Sequence, residues 1–210
     1  MMKLNGQREK VLVMRIILTV LILIFSLQSW TKADDIRDFE IEGISIGDSL
    51  LDYLSKERIK NEEKFFYKSK KFASIYIKKS SYSPLKLEIY DTITFSYKPN
   101  DKKYIIYSID ASISYKNNIE DCYNQKKIIE NELSDLLNIE LNSYKTSYSG
   151  DPSGESKVSI SDLIFDNGGA SRVICYDISQ KLSDEKGWWD RLSVIINSDE
   201  FNKFLQNDAY

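Results

Sequence analysis

The chain has 210 residues, 42% hydrophobic and 12% aromatic, with 29 basic and 32 acidic side chains and a net charge of −3. This content supports a folded core rather than a disordered chain, and the acidic balance argues against nucleic acid, whose binding rests on clustered Lys and Arg neutralising phosphates. Histidine is absent, which removes Ser-His-Asp and Cys-His catalysis, His-ligated zinc or copper, and the commonest general base near neutral pH.

The first 33 residues read as an export signal. Lys3, Arg8, Lys10 and Arg15 lead into the apolar run Ile16 to Leu27, and Ser29 and Thr31-Lys32-Ala33 follow as a small-residue cleavage region. That order is the pattern of a secretory signal peptide, with cleavage after Ala33 and a mature chain of residues 34–210. Residues 16–30 fall short of the roughly 20 apolar positions that span a bilayer. Left uncut, they are the alternative: an inner-membrane anchor, and the chain's only means of holding a membrane. No cysteine lies at the end of the run, so a lipoprotein anchor is excluded, and Met14 serves equally well as a start. The leader carries five basic side chains and one acid, which leaves the exported chain at 24 bases against 31 acids.

Beyond the leader, Asp48 is placed to cap a helix carrying Leu50, Leu51 and Leu54, and Ser55 to cap a second short helix through Ile59. Strand patterns follow. Apolar residues take every second position in Ala73-Ile75-Ile77, in Leu87, Ile89, Ile93, Phe95 and Tyr97, and in Ile105 to Tyr115, with Ser, Thr, Lys and Asp between them. Such alternation belongs to antiparallel strands with one buried and one wet face. A helix is expected from Ile119 to about Asn138, with Cys122, Ile129, Leu133, Leu136 and Leu137 on one stripe. Further strands are expected near 141–148, 158–165, 170–178 and 192–197, with a hairpin turn at Asp166-Asn167-Gly168-Gly169. Ser198 caps a last helix holding Phe201, Phe204 and Leu205. The fold expected is α+β, a single domain over 34–210, with antiparallel sheet covered on one face by helices. The segments 40–116 and 117–210 echo each other as helix-plus-meander halves.

Cys122 on the helix stripe and Cys175 inside a strand are expected to pair as a disulfide in an oxidising compartment. A redox-active pair lacks the Cys-x-x-Cys spacing that depresses a thiol pKa, and two free thiols would follow if the chain were not exported. No set of metal ligands and no cofactor motif is present. The stretch Gly150-Asp151-Pro152-Ser153-Gly154-Glu155-Ser156-Lys157 has the look of a phosphate loop with the wrong residue order, and it is assigned to turn geometry.

Among Asp162, Asp166, Asp177, Asp184, Glu185 and Asp190, the pair Asp177 and Asp190 is the best candidate for carboxylate chemistry. Trp188-Trp189, between Gly187 and Asp190, is a candidate recognition loop for sugar or protein. Against that stands the plainer expectation that one indole plugs the end of the core. Tyr76, Tyr90 and Tyr104 are expected on the wet parity.

Three segments together carry a resemblance: Ile41-Glu42-Gly43-Ile44-Ser45-Ile46-Gly47-Asp48-Ser49-Leu50-Leu51, the loop and strand from Asp151 to Val158, and Cys175-Tyr176-Asp177 followed by Asp190-Arg191-Leu192. With them the chain resembles a family of uncharacterised exported proteins of marine alphaproteobacteria. The resemblance implies a periplasmic protein whose two cysteines belong to the pattern. The Gly-Ile-x-Ile-Gly opening, two short helices and a meander are also similar to small envelope-assembly modules and β-lactamase-inhibitor-like repeats. The function expected is a non-enzymatic exported domain that binds a protein or envelope component through its open sheet face or the Trp188-Trp189 loop. A carboxylate-based hydrolase and a small-ligand carrier are the alternatives.

Overall fold

The computed structural model describes residues 36–209 apart from 81, 84, 117, 138 and 139. The export signal expected over residues 1–33 lies outside them. The described chain begins with a 3-10 turn at Ile36–Asp38 and a small hairpin of β1 (Glu40–Ile41) and β2 (Ile44–Ser45). A second 3-10 turn at Leu50–Asp52 and helix α1 (Lys56–Glu62) follow. Then come β3 (Ala73–Lys78), β4 (Thr92–Tyr97), β5 (Ile106–Lys116), helix α2 (Ile119–Leu137), β6 (Asn142–Ser147), β7 (Lys157–Ile164) and β8 (Ala170–Asp177). Helix α3 (Gln180–Lys186), β9 (Asp190–Asn197) and helix α4 (Asp199–Asn207) complete the chain.

The fold is α+β. One seven-stranded sheet, in the order β3-β4-β5-β9-β8-β7-β6, is antiparallel at every pairing. The two expected meanders are therefore joined edge to edge: β9 lies between β5 of the first and β8 of the second. Because register partners share a face and neighbours alternate, the strand pairs sort the whole sheet into two surfaces. Ile75, Phe95, Ile109 and Ile196 form one continuous buried row, and Ala111, Val194 and Val173 form the next. Helix α2 lies on this face against β5, β8 and β9 and adds Cys122, Ile129 and Leu133. Each fully buried isoleucine here is worth roughly 2 kcal/mol. The Cys122–Cys175 disulfide, with its Cα atoms 5.9 Å apart, staples α2 to β8.

Serine caps recur at helix starts: Ser55 accepts from the Arg58 N–H, Ser179 from Leu182 and Ser198 from Phe201. Ser49, not Asp48, caps the turn at Leu50–Asp52, and Leu51 is exposed. The stretch around Leu87 and Ile89 is not strand, and β4 begins only at Thr92. The cause is Glu42. In the β1–β2 turn, Glu42 and Gly43 both take positive φ, 55° and 74°, the geometry of a type I′ turn that glycine tolerates freely and glutamate does not. So held, the Glu42 carboxylate accepts the backbone N–H groups of Glu88, Ile89 and Tyr90 at 2.9–3.0 Å, which removes those donors from any ladder.

Helix α4 departs from the expectation that the helices share one face. It builds a separate cluster of Phe72, Phe201, Phe204 and Ala209 with Tyr67, Tyr107 and Leu205, tied down by Lys98–Glu200 and Lys71–Asp208 ion pairs. Phe201 and Leu205 thereby border the polar side of the sheet.

Candidate functional site

The face away from α2 is a broad polar surface. Its floor is drawn from the alternate residues of the sheet: Ser74 and Tyr76 of β3, Thr92, Thr94 and Ser96 of β4, Ser108, Asp110, Ser112 and Ser114 of β5, and Arg191, Ser193, Ile195 and Asn197 of β9. Hydroxyls bridge neighbouring strands as Ser74–Ser96 at 3.0 Å and Ser112–Ser193 at 2.7 Å, and the Ser108 hydroxyl donates to Asn197 Oδ1 at 2.6 Å. Two concavities lie on this floor. The first, of about 330 Å3, runs from Ser74, Ser96 and Asn197 to Phe66, Tyr67, Phe201 and Leu205. The second, of about 410 Å3, is bordered by Tyr76, Tyr148, Trp188 and Trp189 over Thr92, Ser112, Ser114 and Arg191. They meet at Thr94 and Asp110, which line both. The site is thus one groove with two lobes.

Local structure fixes the aromatic wall of the second lobe. Gly187 ends α3 in the left-handed conformation, with its N–H on the Ser183 carbonyl, and the Ser183 hydroxyl holds the Trp188 carbonyl. The chain turns there and presents Trp188 and Trp189, 39% and 44% exposed, to the groove. Trp188 leans on Tyr148, which meets Tyr176 edge-on with centroids 5.5 Å apart. The Tyr148 ring occupies the space a side chain at position 150 would need: a Cβ there would stand 2.6 Å from it, so any other residue would displace the ring.

Asp151 organises both segments that carry this wall. Its carboxylate accepts from the N–H and hydroxyl of Ser153, the N–H and hydroxyl of Ser156 and the hydroxyl of Ser179. Ser179 is also the cap of α3, so the β6–β7 loop bearing Tyr148 and Gly150 is coupled to the helix that ends at Trp188. Those serine hydroxyls and amides hold the Asp151 carboxyl well below the usual carboxylate range.

Electrostatically the groove is balanced, with Asp91 and Asp110 against Arg172 and Arg191. Burial pushes the Asp110 carboxyl above its ordinary range, opposed by Arg191, Ser193 and Ser112. The Arg191 guanidinium lies 3.8 Å above the Tyr176 ring, and burial, aided by the Asp110 charge, pushes the Tyr176 phenol up to about 12. Arg172 pairs with Asp162 at 2.7 Å.

Of the residues singled out in the sequence, Trp188, Trp189 and Tyr76 line the groove. Neither indole plugs the core. Tyr90 and Tyr104 are buried, 3% exposed each, because they precede β4 and β5 rather than lying on the strands' polar parity. Asp177 and Asp190 come near each other on the opposite, helix-covered side. There the buried Asp190 accepts the Ile178 N–H at 2.9 Å, and desolvation, reinforced by the Asp177 charge, raises its pKa. Asp177 meets the Tyr123 hydroxyl on α2. The carboxylate pair and the indoles are therefore on different faces.

A lysine and a serine also meet on the helix-covered side, where the Lys126 ammonium donates to the Ser161 hydroxyl. Lys126, on the buried side of α2, bonds Glu130 at 2.6 Å, and the Ser143 and Ser161 hydroxyls close on the same carboxylate. Among the described residues no three His, Cys, Asp or Glu side chains converge as a metal site needs. Nor is any described helix long and apolar enough to cross a membrane.

Two residues that shape the groove escaped the sequence reading. Asp110 sits in an ordinary wet-parity position, and only its central strand shows that it is desolvated. Asp151 had a legible signal, an Asp followed by serines two and five residues on, the spacing of a side chain capping its own loop. Comparison with known protein families, curated proteins and solved structures finds no match.

Proposed function

We propose that this is an exported, periplasmic, non-enzymatic binding domain that holds an envelope component in the groove on the polar face of its sheet. The observation that carries the reading is the groove: paired concavities with a hydroxyl-rich floor, aromatic walls at both ends and a balanced charge. Concave sites with aromatic walls and a few convergent polar groups are where proteins bind ligands. Export is supported by the order of residues in the leader and by a disulfide closing a 53-residue separation, and the family resemblance points to the same compartment. The disulfide staples the scaffold on one side of the sheet and leaves the other side free for recognition.

Hydrolysis by Asp177 and Asp190 finds no support in their placement under α2. A hydrolase reading transfers instead to Asp91 and Asp110, which line one lobe together. It requires that bound ligand be cut, whereas a binding domain releases it intact. A small-ligand carrier would use the same groove.

The test places a photo-cross-linking amino acid at Tyr76 of the full exported chain and, in a second variant, at Tyr82, which is 93% exposed and lines neither lobe. The expected result is a light-dependent adduct with an envelope component from position 76, absent from position 82. Trp188→Ala with Trp189→Ala should abolish it while the melting temperature holds. Equal adducts from both positions, or none at 76, would overturn the reading.

A further inference from the structure

We infer that the groove's ligand is an extended, uncharged oligosaccharide, laid across both lobes with one sugar ring against Trp188, Trp189 and Tyr76 and another against Phe66 and Tyr67. This rests on the groove reading and gives its ligand a chemical class. Three observations carry it.

The first is what the floor offers. β4, β5 and β9 each have a strand on both sides, so their backbone donors and acceptors are engaged in the sheet. An extended peptide gains affinity from main-chain hydrogen bonds, which it finds at a sheet edge and not on a face. The polar groups that face the groove are side chains: the hydroxyls of Thr92, Thr94 and Ser114 are open to a ligand, Ser112 is shared with Ser193, and the buried Ser74 and Ser96 bond each other beneath them. A hydroxyl is both donor and acceptor, so it suits a ligand bearing many hydroxyls of its own.

The second is the placing of the rings. A pyranose has an apolar face of C–H groups and a polar rim, so it asks for a flat aromatic surface beside hydrogen-bonding groups. Each lobe has that pair of surfaces, and Phe66, at 61% exposed, and the two indoles keep their rings open to a ligand.

The third is charge. Two carboxylates face two guanidiniums in the groove, and Arg172 and Arg191 are already engaged with Asp162 and the Tyr176 ring. An anionic or cationic ligand would meet a like charge beside each opposite one. At the junction of the lobes, Asp110 is the acceptor for a sugar hydroxyl.

The chain carries its own probe. Its three tryptophans are Trp30, in the leader, and Trp188 and Trp189, so after cleavage at Ala33 all indole emission comes from the groove. Purified mature chain is titrated with chitotetraose, with cellotetraose and, as the peptide control, with tetra-alanine. The expected result is a saturable change in emission with at least one tetrasaccharide below about 1 mM and none with the peptide. Tyr76→Ala and Asp110→Ala, which keep both indoles, should weaken binding about tenfold each without a loss of melting temperature. No change with either sugar up to about 10 mM overturns the oligosaccharide assignment, as does a response to the peptide alone or sugar binding indifferent to both variants. If the position-76 cross-link persists in any of those cases, the groove stands and only its ligand class falls.

Discussion

The two faces of the one sheet are built from alternate residues of the same strands and serve opposite ends. Along β5, Ile109 and Ala111 are fully buried under the helix-covered side, while Ser108, Asp110 and Ser112 floor the groove. The first face is apolar, continuous and covalently stapled to α2. The second is a hydroxyl surface whose polar groups largely bond one another and whose rings stand at its rim. What this teaches is a division at single-residue spacing: the buried core lies on one parity, and the groove we propose for recognition lies on the other.

The largest effect belongs to the staple. Cys122→Ala with Cys175→Ala should cost about 4 kcal/mol by the loop-entropy estimate, a fall in melting temperature on the order of 10 °C read by calorimetry, with no change in groove binding where the variant is folded. Next, Ile109→Ala should cost about 3 kcal/mol by opening a cavity in the central row, measured by denaturant unfolding. A smaller loss is expected for Asp151→Ala, which frees the serines joining the β6–β7 loop to α3. Because the Asp151 pKa is depressed in the folded chain, the stability it contributes is present above the ordinary carboxylate range and is lost as pH falls through the folded value. The variant should therefore lose the part of the acid sensitivity that Asp151 supplies, as seen in melting temperatures of variant and wild type taken from neutral pH downward. The smallest effect has the opposite sign. Asp110 has a raised folded pKa, so its contribution is favourable while it is protonated and declines as pH rises through that value. Asp110→Asn should raise the melting temperature at neutral pH while weakening ligand binding, a trade that its neighbour Ile109 cannot show.

Much of this scaffold was legible. The alternation in 73–77, 93–97 and 105–115 placed three strands because one side of each is buried, and Ser55 and Ser198 marked helix starts because their hydroxyls cap free amides. The Cys122–Cys175 bond followed from a helix stripe and a strand. Helix α3 was not foreseen, since Gln180-Lys181-Leu182-Ser183-Asp184-Glu185-Lys186 has one large apolar residue and no periodicity to read. Of the groove, the rings Trp188, Trp189 and Tyr76 and the wet parity of β4 and β5 were legible. Its other parts come from separate strands whose neighbour relations, β9 between β5 and β8 above all, are set by tertiary pairing and not by local pattern. Asp177 and Asp190 attracted notice as clustered acids, yet register sends them to the face opposite the indoles.

The most direct test of the division between the faces is acrylamide quenching of tryptophan emission from a chain of residues 34–210, whose tryptophans are Trp188 and Trp189, with and without envelope extract. Ligand seated in the groove should shield Trp188 and Trp189, giving a quenching constant that falls as extract is added and is restored by Tyr76→Ala. A constant unchanged by extract, with the chain folded and its disulfide intact, would contradict the assignment of recognition to the polar face.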